Sequence, residues 1–422
     1  MDYQQENNVW VIGHKNPDTD SICAAICYAN LKNRLQDGFH YIPKRAGSIN
    51  EETKYVLQHF GVEPPEYAED AGAQVKDIAF RRTAGVSGHI SLKKAWELMK
   101  TENVMTLAVT SASDKLEGLI ITGDIAESYM DVYDNHILSR ARTQYKNIVE
   151  TLNGTLLAGN EHAYFLRGKV VVATGSRDVI EECIESDDLV IVGDRDETHI
   201  CALEENASCM VVTGGTQVSA QVLEMANRRD CVVIITPYDT FTAARLINQS
   251  MPIKYFMKKE NFVTFDIDDY VDEVREVMSK KRHRDFPVLD DQRRYLGMVS
   301  RRNLLNMHKK KLILVDHNEK SQAIDGIEGA EILEIIDHHR LGSLETMSPV
   351  FFRNQPLGCT STIVYQMYCE SGIEIEEKIA GLLLSAILSD TLMFRSPTCT
   401  KADHEAARAL AAIAKVDIVD LA

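Results

Sequence analysis

The sequence predicts an α/β fold: a doubly wound parallel-sheet domain interrupted by a long insertion, which itself carries an internal repeat. Three observations predict this. Aliphatic strands alternate with helical patterns at both ends of the chain, the alternation stops near residue 66 and resumes near 309, and between those points one order of elements occurs twice. A chain of 422 residues holds roughly two to four domains, and 45% hydrophobic residues is ordinary for a packed interior.

The opening reads strand (VWVIGH, residues 9–14), loop (KNPDTD), then a helix from about Ser21 through SICAAICYANLKNRL. Asp20 and Ser21 are good helix-capping types, and small apolar residues recur behind them at helical spacing. A second strand and helix follow in FHYIPKR and NEETKYVLQHFG. Near Pro64–Gly72 the texture turns loop-like. Residues 75–132 then resemble residues 253–308. Each copy has a helix ending in Met (SLKKAWELMK; DYVDEVREVMSKK), a short strand (LAVT; FPVLD), a charged turn, and a strand running into a helix (GLIITGDIAESY; GMVSRRNLLNM). Between the copies lie KVVVATG, LVIVGD, CMVVTGG and CVVIITP, strands with helices between them. After Met307 the first style returns in KLILVDHNE and EILEIIDHH, followed by a long apolar helix, KIAGLLLSAILSDT. The simplest account is one domain split by an insert of roughly 240 residues at a loop whose ends lie close together.

The formal net charge of −17 argues against nucleic acid as a main partner, because phosphate backbones are bound by basic surfaces. Small phosphates stay possible if cations supply the positive charge. No stretch approaches the ~20 apolar residues of a membrane span, so no membrane partner is expected. The opening MDYQQENNVW lacks a basic region before an apolar run and does not read as a signal peptide. Nine dispersed cysteines with no C-x-x-C pair suit free thiols in a reducing cytoplasm. Cys23 and Cys27, four apart on the first helix, read as core residues rather than ligands.

Four clusters rich in Asp or His stand at element ends: His14–Asp20, Asp316-His317-Asn318, Asp337-His338-His339 and Ser389-Asp390-Thr391. Three of them follow aliphatic strands, and in open α/β sheets ligands bind at the carboxyl ends of strands. Asp390 must reach the same crevice from a helix. Carboxylates so gathered repel by about 4 kcal/mol per pair at 4 Å and an effective dielectric near 20. Divalent cations remove that cost. Imidazole and carboxylate donors without thiolate suit Mn²⁺, Co²⁺ or Mg²⁺ better than structural Zn²⁺. A pair of such ions can activate water and orient a phosphoryl group for in-line attack. A lone Asp after a strand is usually a cap or turn residue; four clusters in this order are hard to explain that way.

These residues resemble the DHH phosphoesterase superfamily, and specifically the family II (manganese-dependent) inorganic pyrophosphatases. The resemblance lies in GHKNPDTDSICAA, RAGSINEETKYVLQHFG, VDHNE, IDHHR, LGCTSTIV and LLSAILSDTLMFRSPTCT, over about residues 9–66 and 309–422. It implies that His14 and Asp18 bind one metal, that Asp20, His338 and Asp390 bind a second, and that Asp316 bridges them. His339 would face the substrate as a catalytic residue. The implied reaction is hydrolysis of pyrophosphate to two phosphates with two Mn²⁺ or Co²⁺ per site and Mg²⁺ accompanying the substrate, in a homodimer.

The two repeats resemble CBS domains, and the unit between them a DRTGG domain, whose motif stands here as VVTGG, Val211–Gly215. The expected divisions are 1–66 and 309–422 for the DHH domain, 67–135 and 251–308 for the CBS pair, and 136–250 for the DRTGG-like unit. The resemblance implies regulation by adenine nucleotides: inhibition by AMP and ADP, activation by ATP or diadenosine polyphosphates. In the first copy Thr122 and Asp124 fit the segment that meets ribose and phosphate. In the second, Ser300 and Asn303 occupy it, with Asn303 where Asp is usual. Arg282, His283 and Arg284 fit either phosphate contacts or a solvated turn, and Gly214 and Gly215 suit a tight turn better than a phosphate cradle.

The family has a further catalytic domain with a basic motif that clamps pyrophosphate. This sequence stops at Val416–Ala422, about where that domain should begin, and Lys401, Arg408 and Lys415 look like surface charges on a helix. The expectation is a chain that binds metals and nucleotides but hydrolyses pyrophosphate poorly. Competing readings are another DHH-type phosphodiesterase, acting on oligonucleotides or cyclic dinucleotides, and a nucleotide sensor with a silent catalytic remnant.

Overall fold

The computed structural model describes residues 7–130, 134–175, 177–306 and 309–421. The chain forms two compact units, one from Met1–Ala79, Asp268–Lys281 and Arg301–Ala422, the other from Phe80–Ile267 and Arg282–Ser300.

The first unit is built on a six-stranded sheet of β1 (Asn8–Ile12), β2 (His40–Arg45), β3 (Glu66–Tyr67), β4 (Lys311–Val315), β5 (Glu331–Asp337) and β6 (Phe351–Asn354). Their order is β6-β5-β4-β1-β2-β3, and every pairing is parallel. Strands β1 and β4 share the centre, with Val9 opposite Lys311 and Ile12 opposite Leu314. Central parallel strands are covered on both faces, which is why VWVI and LILV are near-continuous apolar runs. The strand order reverses between β1 and β4, so the crevice expected of a doubly wound sheet opens beside their carboxyl ends.

Helix α1 (Thr19–Leu35) follows β1, and α2 (Glu51–His59) follows β2. The cap of α1 is Asp18, whose Oδ1 accepts from the Ser21 amide at 2.9 Å. Asp20 and Ser21, expected as caps, instead lie buried inside the first turn. Asp18 wins because its side chain reaches three residues ahead to the otherwise unpaired N–H of Ser21. Cys23 and Cys27 are fully buried in the apolar core, as their spacing suggested. Helices α3 (Thr360–Ser371), α4 (Glu377–Asp390) and α5 (Lys401–Ala414) complete the unit. Every residue of α4 from Ile379 to Leu388 is buried, the condition of a helix that is apolar all round. It packs against α1 and α5.

In the second unit the first repeat has a helix over Leu92–Thr101, a hairpin of Thr106–Thr110 with Leu116–Ile121, and a helix over Thr122–Met130. From the second repeat, Asp285–Leu289 pairs antiparallel with Tyr295–Ser300. Its other helix, Val271–Lys280, falls in the first unit. The closing helix expected from GMVSRRNLLNM is a short 3₁₀ turn over Asn303–Asn306; asparagine at both ends is a poor helix former. Met307 lies outside the described residues. Between the repeats stands a five-stranded sheet. Val170–Val172, Leu189–Val192, Cys209–Val212 and Val232–Ile235 run parallel, and Thr155–Ala158 is antiparallel at one edge.

Candidate metal centre

The crevice at β1 and β4 collects side chains from four loops or helix ends of the first unit. His14 follows β1, Asp316 follows β4, His338 and His339 follow β5, and Asp390 is the last residue of α4. Asp18 and Asp20 enter from the start of α1. Three overlapping groups form, each with ligand atoms within 4.8 Å of one another: His14, Asp18 and Asp316; Asp20, Asp316, His338 and Asp390; Asp316, His338 and His339. All six residues expected as ligands are thus brought together, and Asp316 belongs to every group.

Asp316 is buried and its two oxygens point to different imidazoles. Oδ2 lies 3.4 Å from His14 Nε2, and Oδ1 lies 3.4 Å from His338 Nε2. Its backbone is left-handed, with φ 64°, a conformation uncommon for non-glycine residues that Asp tolerates better than most. The Asp316 amide donates to Ile336 O at 2.9 Å, and Oδ1 also accepts from Thr360 Oγ1 at 3.0 Å. His14 Nε2 is 3.5 Å from Asp18 Oδ2, and His338 Nε2 is 3.6 Å from Asp390 Oδ2.

The donor set fits divalent cations. His338 Nδ1 is 3.0 Å from Leu357 O, which fixes the ring with its proton on Nδ1. Its Nε2 is then buried without a hydrogen-bond partner while facing two carboxylates. A buried ring nitrogen packed against two carboxylates costs free energy unless a proton or a metal cation sits between them. The atoms offered are oxygens and imidazole nitrogens, the set that suits Mn²⁺ or Co²⁺.

Charge at the site is strongly perturbed. Burial alone would lower the imidazolium of His14, but hydrogen bonds and charge from Asp18 and Asp316 carry it up to about 10. His338, likewise opposed by burial, is carried to about 10 by Asp316 and Asp20. Burial, with the charges of Asp20 and Asp316, pushes Asp390 up to about 10. Burial and Asp316 also raise Asp20, to about 7. Asp316 itself is held well below the carboxylate range by the two imidazoles, against its burial.

His339 is half exposed. Its Nδ1 is 2.9 Å from Asp337 Oδ1, and that hydrogen bond raises its pKa. Asp337 was noted in the sequence only as part of a cluster. It is buried, accepts from the His338 and His339 amides, and takes a hydrogen bond from Asn318. Thr360 and Ser361 were also missed. Their amides donate to Asp20 at 2.7 and 3.0 Å, and Ser361 Oγ adds a third bond at 2.6 Å. Their stretch, LGCTSTIV, had been noted, but hydroxyl residues opening a helix look like ordinary caps.

Of the nucleotide candidates, Thr122, Asp124 and Ser300 belong to the second unit. Thr122 opens the helix after Leu116–Ile121. Asp124 is buried there, accepting from the Ile121 amide at 2.9 Å and lying 3.2 Å from Lys258 Nζ. Lys258 and His283 line an open pocket of about 670 Å³ with Tyr255, Met257, Lys259, Glu260 and Asn261. Arg282 and Arg284 are exposed and His283 half-buried. Ser300 ends the strand Tyr295–Ser300 of the second unit. Asn303 belongs to the first unit, where its side-chain Nδ2 donates to Ala79 O at 2.7 Å. Gly214 and Gly215 form a tight turn, with φ of 77° and 68° and N–H groups given to Tyr238 O and Thr236 O. Lys401, Arg408 and Lys415 are exposed.

Comparison with known proteins places this geometry in a family. Residues 147–250 match the DRTGG domain and 253–309 the CBS domain. The chain is 43% identical over 408 residues to a cobalt-dependent inorganic pyrophosphatase of Clostridium perfringens, covering 97% of this chain and 74% of that protein. It is 40% identical over 410 residues to a probable manganese-dependent inorganic pyrophosphatase of Thermotoga maritima, again covering 97% of this chain and 74% of the relative. A crystal structure of the CBS and DRTGG domains of the regulatory region of the Clostridium perfringens pyrophosphatase, complexed with its activator diadenosine tetraphosphate, matches with TM-score 0.52 and 36% identity. It covers 54% of this chain and 100% of that one. The fold is therefore an α/β domain built on a doubly wound parallel sheet and carrying CBS and DRTGG modules. The chain belongs to the metal-dependent family II inorganic pyrophosphatases of the DHH superfamily, in the branch with those modules.

Proposed function

We propose that the six converging side chains hold two divalent cations, Mn²⁺ or Co²⁺, and that the site hydrolyses inorganic pyrophosphate. The observation that carries this reading is Asp316, whose two oxygens each face a separate imidazole. His14 and Asp18 complete one position; Asp20, His338 and Asp390 complete the other. The relatives are named for cobalt or manganese dependence, which agrees with the oxygen and nitrogen donors. Bound divalent cations supply positive charge to the phosphate oxygens and acidify an attacking water.

The chain's own residues do the rest. Asp316 offers one carboxylate oxygen to each position, and Asp390 adds a carboxylate to the second. Asp337 fixes the His339 ring and favours its charged form. His339 then offers Nε2 as a hydrogen-bond and proton donor to a phosphate oxygen. Mg²⁺ would accompany pyrophosphate into the crevice.

Regulation belongs to the second unit. Asp124 beside Lys258 pairs a carboxylate suited to ribose hydroxyls with a cation suited to phosphate, and Lys258 also lines an open surface pocket. An adenine nucleotide, with diadenosine tetraphosphate as the first to test given the related activator complex, would bind there. The enzyme would work as a homodimer in the cytoplasm, where the nine free cysteines are at home.

The test is a hydrolysis assay on the purified chain with Mn²⁺, offering pyrophosphate and a short oligonucleotide in parallel. Release of phosphate from pyrophosphate alone is the expected result. Cleavage of the oligonucleotide instead would move the protein to another branch of the superfamily.

A further inference from the structure

We infer that Asp403 is a positioning residue for the metal centre, clamping the segment that aims the ligands. The inference rests on the two-cation reading. Asp403 lies on α5, outside the six ligand candidates, and is completely buried. Its carboxylate accepts four hydrogen bonds: Gly358 N at 3.0 Å, Thr400 N and Oγ1 each at 2.7 Å, and Thr362 Oγ1 at 2.7 Å. The bond from the Thr400 amide is half of a local capping box at the start of α5, and the Thr400 hydroxyl bond is local to the same cap. The two from Gly358 and Thr362 have no part in that cap; they tie α5 to the beginning of α3, more than forty residues back in sequence.

What they hold is the stretch from Leu357 to Ser361. Leu357 O fixes the His338 ring through Nδ1. Thr360 Oγ1 donates to Asp316, and the Thr360 and Ser361 amides donate to Asp20. The cap position of α3, Cys359, makes no side-chain cap. The carboxylate of Asp20 takes its place, so α3 and one ligand candidate are registered directly on each other. Three of the six ligand candidates therefore take their orientation from one five-residue stretch. The fit is tight: a Cβ at Gly358 would lie 2.8 Å from Thr391 Cγ2 and 2.9 Å from Asp403 Oδ2. Thr391 itself follows Asp390, so the fourth side of the site leans on the same turn. Groups that orient ligands from behind in this way set metal affinity.

The experiment is calorimetric titration of the full chain with Mn²⁺ after chelator treatment, together with thermal melting. Asp403→Ala is expected to weaken Mn²⁺ binding by roughly tenfold or more. Asp403→Asn should recover most of it, because the amide oxygen still accepts from Gly358 and Thr400 while the Thr362 hydroxyl turns to accept from the amide nitrogen. If Asp403→Ala does not fold, Thr362→Val decides, with an expected loss of about threefold. Tyr368→Phe is the stability control. It removes a hydroxyl bonded to Cys27 O and Asn30 Oδ1 further along α3, and should lower the melting temperature with Mn²⁺ affinity unchanged. Wild-type affinity in folded Asp403→Ala or Thr362→Val overturns the clamp, as does an equal loss in Tyr368→Phe. Asp403→Asn as weak as Asp403→Ala overturns its hydrogen-bond basis. Failure of the wild-type chain itself to bind Mn²⁺ would instead bring down the two-cation reading, and the clamp with it.

Discussion

Asp337 Oδ1 lies 2.9 Å from His339 Nδ1, and the same oxygen accepts the amides of His338 and His339. One buried carboxylate thus sets both the backbone turn after β5 and the proton affinity of its half-exposed histidine. Asp337→Asn keeps the shape and removes the charge. The His339 imidazolium should then titrate at lower pH than in the wild type, read by NMR on the chelator-treated protein. In the loaded enzyme kcat for pyrophosphate should fall more than KM rises, because a proton donor acts on the reacting phosphate.

Asp316 should matter to both ions and Asp390 to one. Calorimetry with Mn²⁺ is expected to find two tight sites in the wild type, none in Asp316→Ala and one in Asp390→Ala. Two intact sites in Asp316→Ala would remove its bridging role.

Cations must compete with protons here. Hydrogen bonds that His14 gives to Asp18 and Asp316, and for His338 the hydrogen bond to Asp316 with the charge of Asp20, prevail over burial to hold both rings up to about 10. At pH 7 both rings carry a proton until an ion displaces it. Mn²⁺ binding should therefore release protons, and affinity should rise with pH between 6 and 9. Titration in two buffers of different ionisation enthalpy gives the number released.

In the regulatory unit, Asp124→Ala leaves the Ile121 amide and Lys258 without a buried carboxylate. Binding of diadenosine tetraphosphate should weaken by about tenfold or more, with Mn²⁺ affinity unaltered. Equal nucleotide binding by wild type and variant would place the nucleotide elsewhere.

The core of the first unit admits no added volume at Gly381 on α4, where a Cβ would lie 2.2 Å from the Phe60 ring. Gly381→Ala should cost about 1–3 kcal/mol, read as a lower urea midpoint with the slope unchanged.

The sheet and the convergence of the ligand candidates were legible because both follow from pattern. Aliphatic runs that end in Asp or His mark strands and their carboxyl ends, and parallel topology brings those ends to one crevice. What was illegible depended on reach. Asp18 and Asp20 are both plausible caps in sequence, and only the geometry shows that Asp18 caps while Asp20 is turned inward to the amides of Thr360 and Ser361. Asp403 sits in an unremarkable helical pattern, and its partners at Gly358 and Thr362 are visible only in three dimensions. In the insert, the repeat predicted matching ends, yet the second copy closes in a 3₁₀ turn where the first has a helix.

The pairing of β1 with β4 has a consequence for how the protein is made. These neighbours at the middle of the sheet lie on opposite sides of the insert in sequence. At translation rates of about 5–20 residues per second, β1 waits on the order of fifteen to sixty seconds for its partner to leave the ribosome. During that wait its apolar edge is unprotected, while the intervening modules have all of their own sequence and can mature first. Newly made chains should therefore depend on a chaperone at that stage more than their finished stability would suggest.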